Sequence, residues 1–165
     1  MKFMPVNVII TGMNFQLRKG VCGPAAIVNS LRCFGVRVSQ KRVIKLAGTD
    51  EDTGTDEYGI LSALTALGFS GTPYAGKTKT DALTWLTHAL GSGPVIICVN
   101  NWDHWVTVIA KSVDKYVVID SSNTVHNKRE NGVHVYSSRE LVKKWFNKKE
   151  MCLYAIAIAK RRSAI

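Results

Sequence analysis

Cys22 stands in the run Gln16-Leu17-Arg18-Lys19-Gly20-Val21-Cys22-Gly23-Pro24-Ala25-Ala26, where a thiol opens an apolar-periodic helix six residues after a glutamine. A helix N-terminus lowers a thiol's pKa, because unpaired backbone N–H groups and the aligned peptide dipoles favour negative charge there, and the thiolate is the nucleophile. Pro24 fits only the first helical turn, where its missing N–H has no partner to lose. Most free cysteines are inert packing, so Cys22 gains a chemical meaning only from partners.

Two strand-type runs supply them. Val95–Val99 and His104–Ala110 flank a polar Asn100-Asn101-Trp102-Asp103 turn, and Lys115–Ile119 leads into Asp120. An antiparallel pair with a short connection from Lys111 to Lys115 brings His104, at the start of one strand, and Asp120, at the end of the next, to the same end of the sheet. Cys22, His104 and Asp120 then compose a triad in which the imidazole takes the thiol proton and the carboxylate orients the ring. The Gln16 side-chain amide and the Cys22 backbone N–H complete it as donors to an oxyanion, each such donor being worth roughly 3 kcal/mol. A lone glutamine is usually a solvated loop residue, and only the spacing to Cys22 argues otherwise. Asp103 adjoins His104, but neighbours on an extended strand point to opposite faces. Asn123 is the substitute should Asp120 face away.

On these residues the chain resembles the bacteriocin-processing, double-glycine leader peptidases, a papain-like cysteine peptidase family found fused to ABC exporters and as free-standing domains. The resemblance is carried by Gln16, Cys22-Gly23-Pro24-Ala25-Ala26, the segment from Gly54 to Phe69, Gly93-Pro94, His104-Trp105-Val106 and Val118-Ile119-Asp120. It implies an α+β papain-like fold with N-terminal helices packed on a C-terminal antiparallel sheet. It also implies a peptide or protein substrate cut after small residues in a narrow groove near Cys22. Two positions depart from the family pattern: Val21 stands where an acidic residue is common, and Ser121 where proline usually follows the aspartate. The family also implies inactive relatives that bind a peptide without cutting it. They typically lack the nucleophile, which is present here.

Residues 1–160 are expected to form one domain, with 161–165 as a short basic tail. At 165 residues the chain can bury roughly 70% of the surface its unfolded form exposes. No stretch approaches the ~20 apolar residues of a membrane helix, and Val6–Ile10 is too short for a signal peptide. A cytoplasmic protein is the expectation, consistent with four cysteines (22, 33, 98 and 152) without metal-type spacing. No histidine or carboxylate pair has ligand spacing, so neither a metal nor a cofactor is expected. His88, His126 and His134 read as surface or loop residues, Cys98 and Cys152 as strand core.

The coarse pattern is helices from Cys22 to Phe34, Ser39 to Gly48, Thr55 or Asp56 to Gly68, and one capped by Thr80. Strands follow from Pro94, then a helix from Ser137 to Asn147 and a last strand from Met151 to Ala159. Helices first and strands after predict an α+β domain with an antiparallel sheet. Trp102 and Trp105, flanking His104, either wall a groove or pack, and packing is favoured for Trp105.

Net charge is +10, and from Lys128 onwards ten Lys or Arg face three Glu. Such an excess attracts acidic protein surfaces or phosphate backbones. Glu140–Lys149 also has the form of the solvated face of an amphipathic helix, and no nucleic-acid motif accompanies it. A solvated face is therefore the favoured reading of this region, with an acidic partner as the alternative and nucleic-acid binding the weakest. The main expectation is a cysteine peptidase. The alternative is a catalytically idle fold that binds an extended peptide.

Overall fold

The structure is a computed structural model that describes residues 13–161. Val6–Ile10 and the tail residues 162–165 lie outside the described residues.

Helix α1 (Cys22–Arg32) begins without a side-chain cap, because Val21 occupies the capping position and is fully buried. Every residue from Gly23 to Leu31 is buried, so the polar ones must find partners inside the protein. Ser30 Oγ donates to the Ala26 carbonyl at 2.8 Å, and Thr107 Oγ1 from the sheet donates to the same carbonyl at 3.1 Å. That polar knot sets how far α1 slides along the strand beneath it. Helices α2 (Gln40–Leu46) and α3 (Glu57–Ala66) follow, capped by Ser39 and by Asp56, whose carboxylate accepts the Gly59 N–H at 2.8 Å.

One antiparallel sheet receives these helices. Its strands are β1 (Phe69–Gly76), β2 (Val95–Val99), β3 (His104–Ser112), β4 (Lys115–Ile119), β5 (Val133–Ser137) and β6 (Leu153–Lys160), in the order β1-β6-β2-β3-β4-β5. All five residues of β2 are buried, and their alternation splits them between two cores. Ile96 and Cys98 pack with α1, α2 and α3, whereas Val95, Ile97 and Val99 pack with α4 (Lys79–Leu90) and α6 (Ser138–Trp145). The expected α+β arrangement is the one observed, with a second helical layer on the far face. No helix among the described residues is long and apolar enough to cross a membrane.

Several details differ from the sequence reading. β1 precedes Pro94, from which strands are expected, and it carries Gly71 and Pro73 at the sheet edge, where a missing N–H costs no ladder bond. The cap of α4 is Thr78 rather than Thr80, accepting from the Asp81 N–H at 3.2 Å. A short helix, α5 (Val125–Arg129), interrupts the polar segment after Asp120. Cys152 is half-buried in an isolated bridge to Asn147, just ahead of β6. At the C-terminal end Lys160 pairs with Phe69, and the Arg161 N–H donates to the Gly68 carbonyl at 3.2 Å, so order extends to the start of the expected tail.

The β3–β4 pair contains a bulge between Val108 and Ala110. On the hairpin side Ser112 faces Lys115, and beyond the bulge Thr107 faces Ile119. Were the hairpin-side pairing to run on with every residue paired, Asn123 would lie across from His104 and Asp120 would share a face with Thr107. The bulge shifts the pairing by one position and turns Asp120 to the His104 face.

Two buried amides hold the segment that enters α1. Asn29 accepts the Asn14 N–H at 2.8 Å and donates to the Asn14 carbonyl at 3.0 Å. Gln40 donates to the Phe15 carbonyl at 2.6 Å and accepts the Leu17 N–H at 3.2 Å. Gln16 is thus clamped on both sides. Truncating Asn29 leaves buried backbone groups unpaired, so Asn29→Ala is expected to cost about 1–3 kcal/mol in urea unfolding.

Candidate active site

Cys22 is the first residue of α1, so its backbone N–H lies outside the helix's own hydrogen-bond ladder. The close seating of this helix end requires the glycine that follows, since a Cβ on Gly23 would sit 2.8 Å from the Thr55 Cβ. Thr55 in turn accepts the Trp105 indole N–H at 2.8 Å. The residue after the histidine therefore holds the loop that packs on the cysteine's helix.

His104 joins the other two groups. Its Nε2 lies 2.7 Å from Asp120 Oδ1, and the ring lies close enough to the Cys22 thiol to favour the thiolate. With Nε2 engaged by the carboxylate, Nδ1 is the nitrogen left for sulfur. The backbone N–H groups of Trp105 and Gly23 also favour the Cys22 thiolate. Burial opposes charge on every member of this chain, but the partners outweigh it. Cys22 is lowered from its ordinary value against burial by the His104 ring, and Asp120 is lowered against burial by the same ring. His104 is raised to about 10 by Asp120 and Cys22, although burial alone would lower it. Its contribution to stability is accordingly whole below its ordinary 6.5 and is lost as pH rises through the raised value. The other cysteines behave oppositely: burial raises Cys33 to about 12 and raises Cys98 and Cys152.

Gln16 lines the same cleft, a cavity of about 530 Å³ that Cys22, His104 and Asp120 also line. Its Oε1 is buried without a partner, and its backbone N–H donates to the Ser121 carbonyl at 2.8 Å. That bond ties the glutamine to the residue beside Asp120, and it uses a carbonyl that any residue at position 121 supplies. Val21, at the other position that departs from the family pattern, fills a buried site suited to an apolar side chain.

The four residues singled out from sequence therefore meet at one cleft. Asn123 is exposed, and Asp120 makes it unnecessary as a partner for the ring. Asp103 is exposed and lines the cleft without bonding His104. Trp105 is buried and Trp102 is 40% exposed, and both line the cleft. Asn100, Asn101 and Trp102 all have left-handed backbones, with φ of 56°, 57° and 69°. Asparagine accepts that conformation, but tryptophan adopts it only under constraint. His88 and His126 are exposed. Three basic residues of the C-terminal region, Lys143, Lys144 and Lys148, line a separate groove with Phe146.

One supporting residue escaped the sequence reading. Asn127 is buried and donates to the carbonyls of Asp120 at 2.8 Å and Ser122 at 2.7 Å, while His134 Nε2 lies 2.7 Å from its Oδ1. It fixes the turn on which Asp120 sits. The one available signal was an asparagine in a polar segment seven residues past the aspartate, which is too common to single out. Among the described residues no three His, Cys, Asp or Glu side chains gather into a group that could hold a metal.

Comparison with known proteins agrees with this arrangement. Residues 12–151 match the model of the Peptidase C39 family. The peptidase domain of Streptococcus ComA, a bifunctional ABC transporter involved in a quorum-sensing pathway, is similar with a TM-score of 0.68 and 21% identity, over 90% of this chain and 97% of that domain. A double-glycine motif protease from an AMS/PCAT transporter, solved in complex with the leader peptide, gives 0.70 and 16% over 91% of each chain. A putative C39-like peptidase from Bacillus anthracis gives 0.66 and 11% over 99% of this chain and all of that one. At these identities the likeness is one of fold. Two uncharacterized proteins, from Methanothermobacter marburgensis and Methanothermobacter thermautotrophicus, are 49% and 45% identical over 49 and 53 residues. Those matches span 30% and 32% of this chain, and 34% and 37% of the relatives' own lengths. With its α+β architecture and a family model matched over most of its length, the chain belongs to the Peptidase C39 family of papain-like cysteine peptidases.

Proposed function

We propose that the protein hydrolyses a peptide bond with Cys22 as nucleophile. The observation that carries this reading is the His104 ring, held 2.7 Å from the Asp120 carboxylate at Nε2 and lining one cleft with Cys22, whose thiol pKa it lowers. The thiol proton passes to Nδ1, and the sulfur attacks the scissile carbonyl carbon. The carbonyl oxygen becomes an oxyanion that accepts hydrogen bonds from the Gln16 amide and the Cys22 N–H. As the C–N bond breaks, the imidazolium returns its proton to the leaving amine, and an acyl-thioester remains. Water, deprotonated by His104, attacks the thioester and frees the carboxylic acid and the thiol. Asp120 keeps the ring in the orientation and tautomer that both transfers require.

The substrate on this reading is an extended peptide. Supporting a small residue at the cut, Gly20 and Gly54 both line the cleft and approach so closely that a Cβ on Gly54 would lie 3.2 Å from the Gly20 carbonyl oxygen. The cleft wall is there bare backbone. An idle peptide-binding fold is less well supported, because the nucleophile and all its partners are present. The groove of Lys143, Lys144 and Lys148 offers complementary charge to an acidic segment of substrate or partner.

Alkylation by iodoacetamide, followed at each cysteine by mass spectrometry from about pH 5 to 9, tests the ion pair. Cys22 is expected to react fast at neutral pH and to lose reactivity only on acidification, when the thiolate is protonated; Cys33, Cys98 and Cys152 should react slowly throughout. His104→Ala should return Cys22 to an ordinary thiol near 8.5. If Cys22 titrates like an ordinary thiol in the wild type, the triad is not assembled and the idle-binder reading takes over.

Gln16 separates from the triad by chemistry, since alkylation develops no oxyanion whereas acylation does. Acylation of Cys22 by a p-nitrophenyl ester should slow about 100-fold in Gln16→Ala, while the iodoacetamide rate changes by less than about twofold. Equal losses in both reactions would show that Gln16 supports the structure rather than the oxyanion. Turnover should also fall on the alkaline side as His104 loses its proton near the raised value of about 10, a limb that iodoacetamide alkylation does not show.

A further inference from the structure

Beside the cleft of Cys22 lies a second cavity of about 470 Å³, and Thr53, Gly54, Thr55, Trp102 and Trp105 line both. Its walls are aromatic: the Tyr154 ring meets Trp102 at 6.0 Å and Trp105 at 6.1 Å, each edge to face. Its charged groups are the carboxylates of Asp50, Asp56 and Glu57, and neither Lys nor Arg lines it, although the chain as a whole carries +10.

Two of these carboxylates already have structural duties. Asp50 Oδ1 accepts the N–H groups of Asp52 at 2.9 Å and Thr53 at 2.8 Å, and Asp56 caps α3. Glu57 is half-buried and has neither a hydrogen bond nor an ion pair among the described residues. Its place in the first turn of α3 suits the helix dipole, which accounts for an acidic residue but not for the aromatic walls around it. Tyr154, pushed up to about 12 by burial and then by the Glu57 charge, shows that the carboxylate's field reaches this wall.

A carboxylate without a cation, lining with aromatic rings a cavity that shares walls with the cleft of Cys22, matches an alkylammonium or guanidinium. The ion pair and the ring faces act on the same charge, and the apolar stem lies along the indoles. We infer that this cavity receives a lysine or arginine side chain of the substrate peptide, paired with Glu57, so that the enzyme prefers a basic residue close to the scissile bond. The inference rests on Cys22 as the nucleophile.

Peptidyl vinyl sulfones test it, because Cys22 adds to the vinyl carbon while His104 protonates the carbon beside the sulfone. The probes carry lysine, norleucine or glutamate in turn at each of the positions nearest the electrophile, with alanine elsewhere. Labelling of Cys22 is read by mass spectrometry, and each rate is divided by the same protein's iodoacetamide rate. At one position lysine is expected to label about tenfold faster than norleucine, with glutamate slowest, and Glu57→Gln should bring the lysine-to-norleucine ratio near one. The inference is overturned if no position favours lysine over norleucine in the wild type, a result that needs no variant, or if the advantage persists in Glu57→Gln. Should iodoacetamide fail to single out Cys22, the nucleophile reading falls and this one with it, a result distinct from rapid alkylation without a lysine preference.

Discussion

Burial opposes charge on Cys22, His104 and Asp120 alike, yet the three are held in a chain where each ionised group depends on its neighbour. Such a chain is favourable only at hydrogen-bond distance, since a buried charge without its partner costs several kcal/mol. The rest of the fold answers that requirement. The sulfur comes from a helix and the other two groups from the sheet, so the ion pair is no more secure than the packing of α1 on β3. Ser30 and Thr107, fully buried and sharing the Ala26 carbonyl, set that packing from the middle of an otherwise apolar interface.

Gln16, proposed as the oxyanion donor, is joined to Asp120 through backbone. Gln16 hangs between the amides of Asn29 and Gln40, and its own N–H reaches the Ser121 carbonyl. Asn127 then holds the turn from Asp120 to Ser122 against the sheet. A movement of the Asp120 turn is therefore felt at Gln16, and the two residues share one frame.

What was legible in the sequence follows from how far chemistry restricts residue type. A thiol at the start of a helix, a histidine opening a strand and an aspartate closing the next have few substitutes, and the structure brings Cys22, His104 and Asp120 together as their spacing implied. Asn29, Gln40 and Asn127 were invisible because an amide in a helix or a polar segment has many ordinary uses, and only the fold shows what each one holds. β1 was hidden by Gly71 and Pro73, which signal a loop unless the strand is known to lie at an edge. The cavity around Glu57 joins residues from α3, the β2–β3 turn and β6, and no local pattern connects them.

The bulge between Val108 and Ala110 carries a consequence for the lengths this chain can adopt. Side chains alternate faces along a strand, so the face that position 120 presents depends on whether the residues between it and His104 pair off evenly. The hairpin between β3 and β4 thus obeys a parity rule. Residues added in pairs, one to each strand, lengthen the ladder and leave the carboxylate where it is. A single residue added to one strand alone changes no side chain of the triad and still turns the carboxylate away from the histidine.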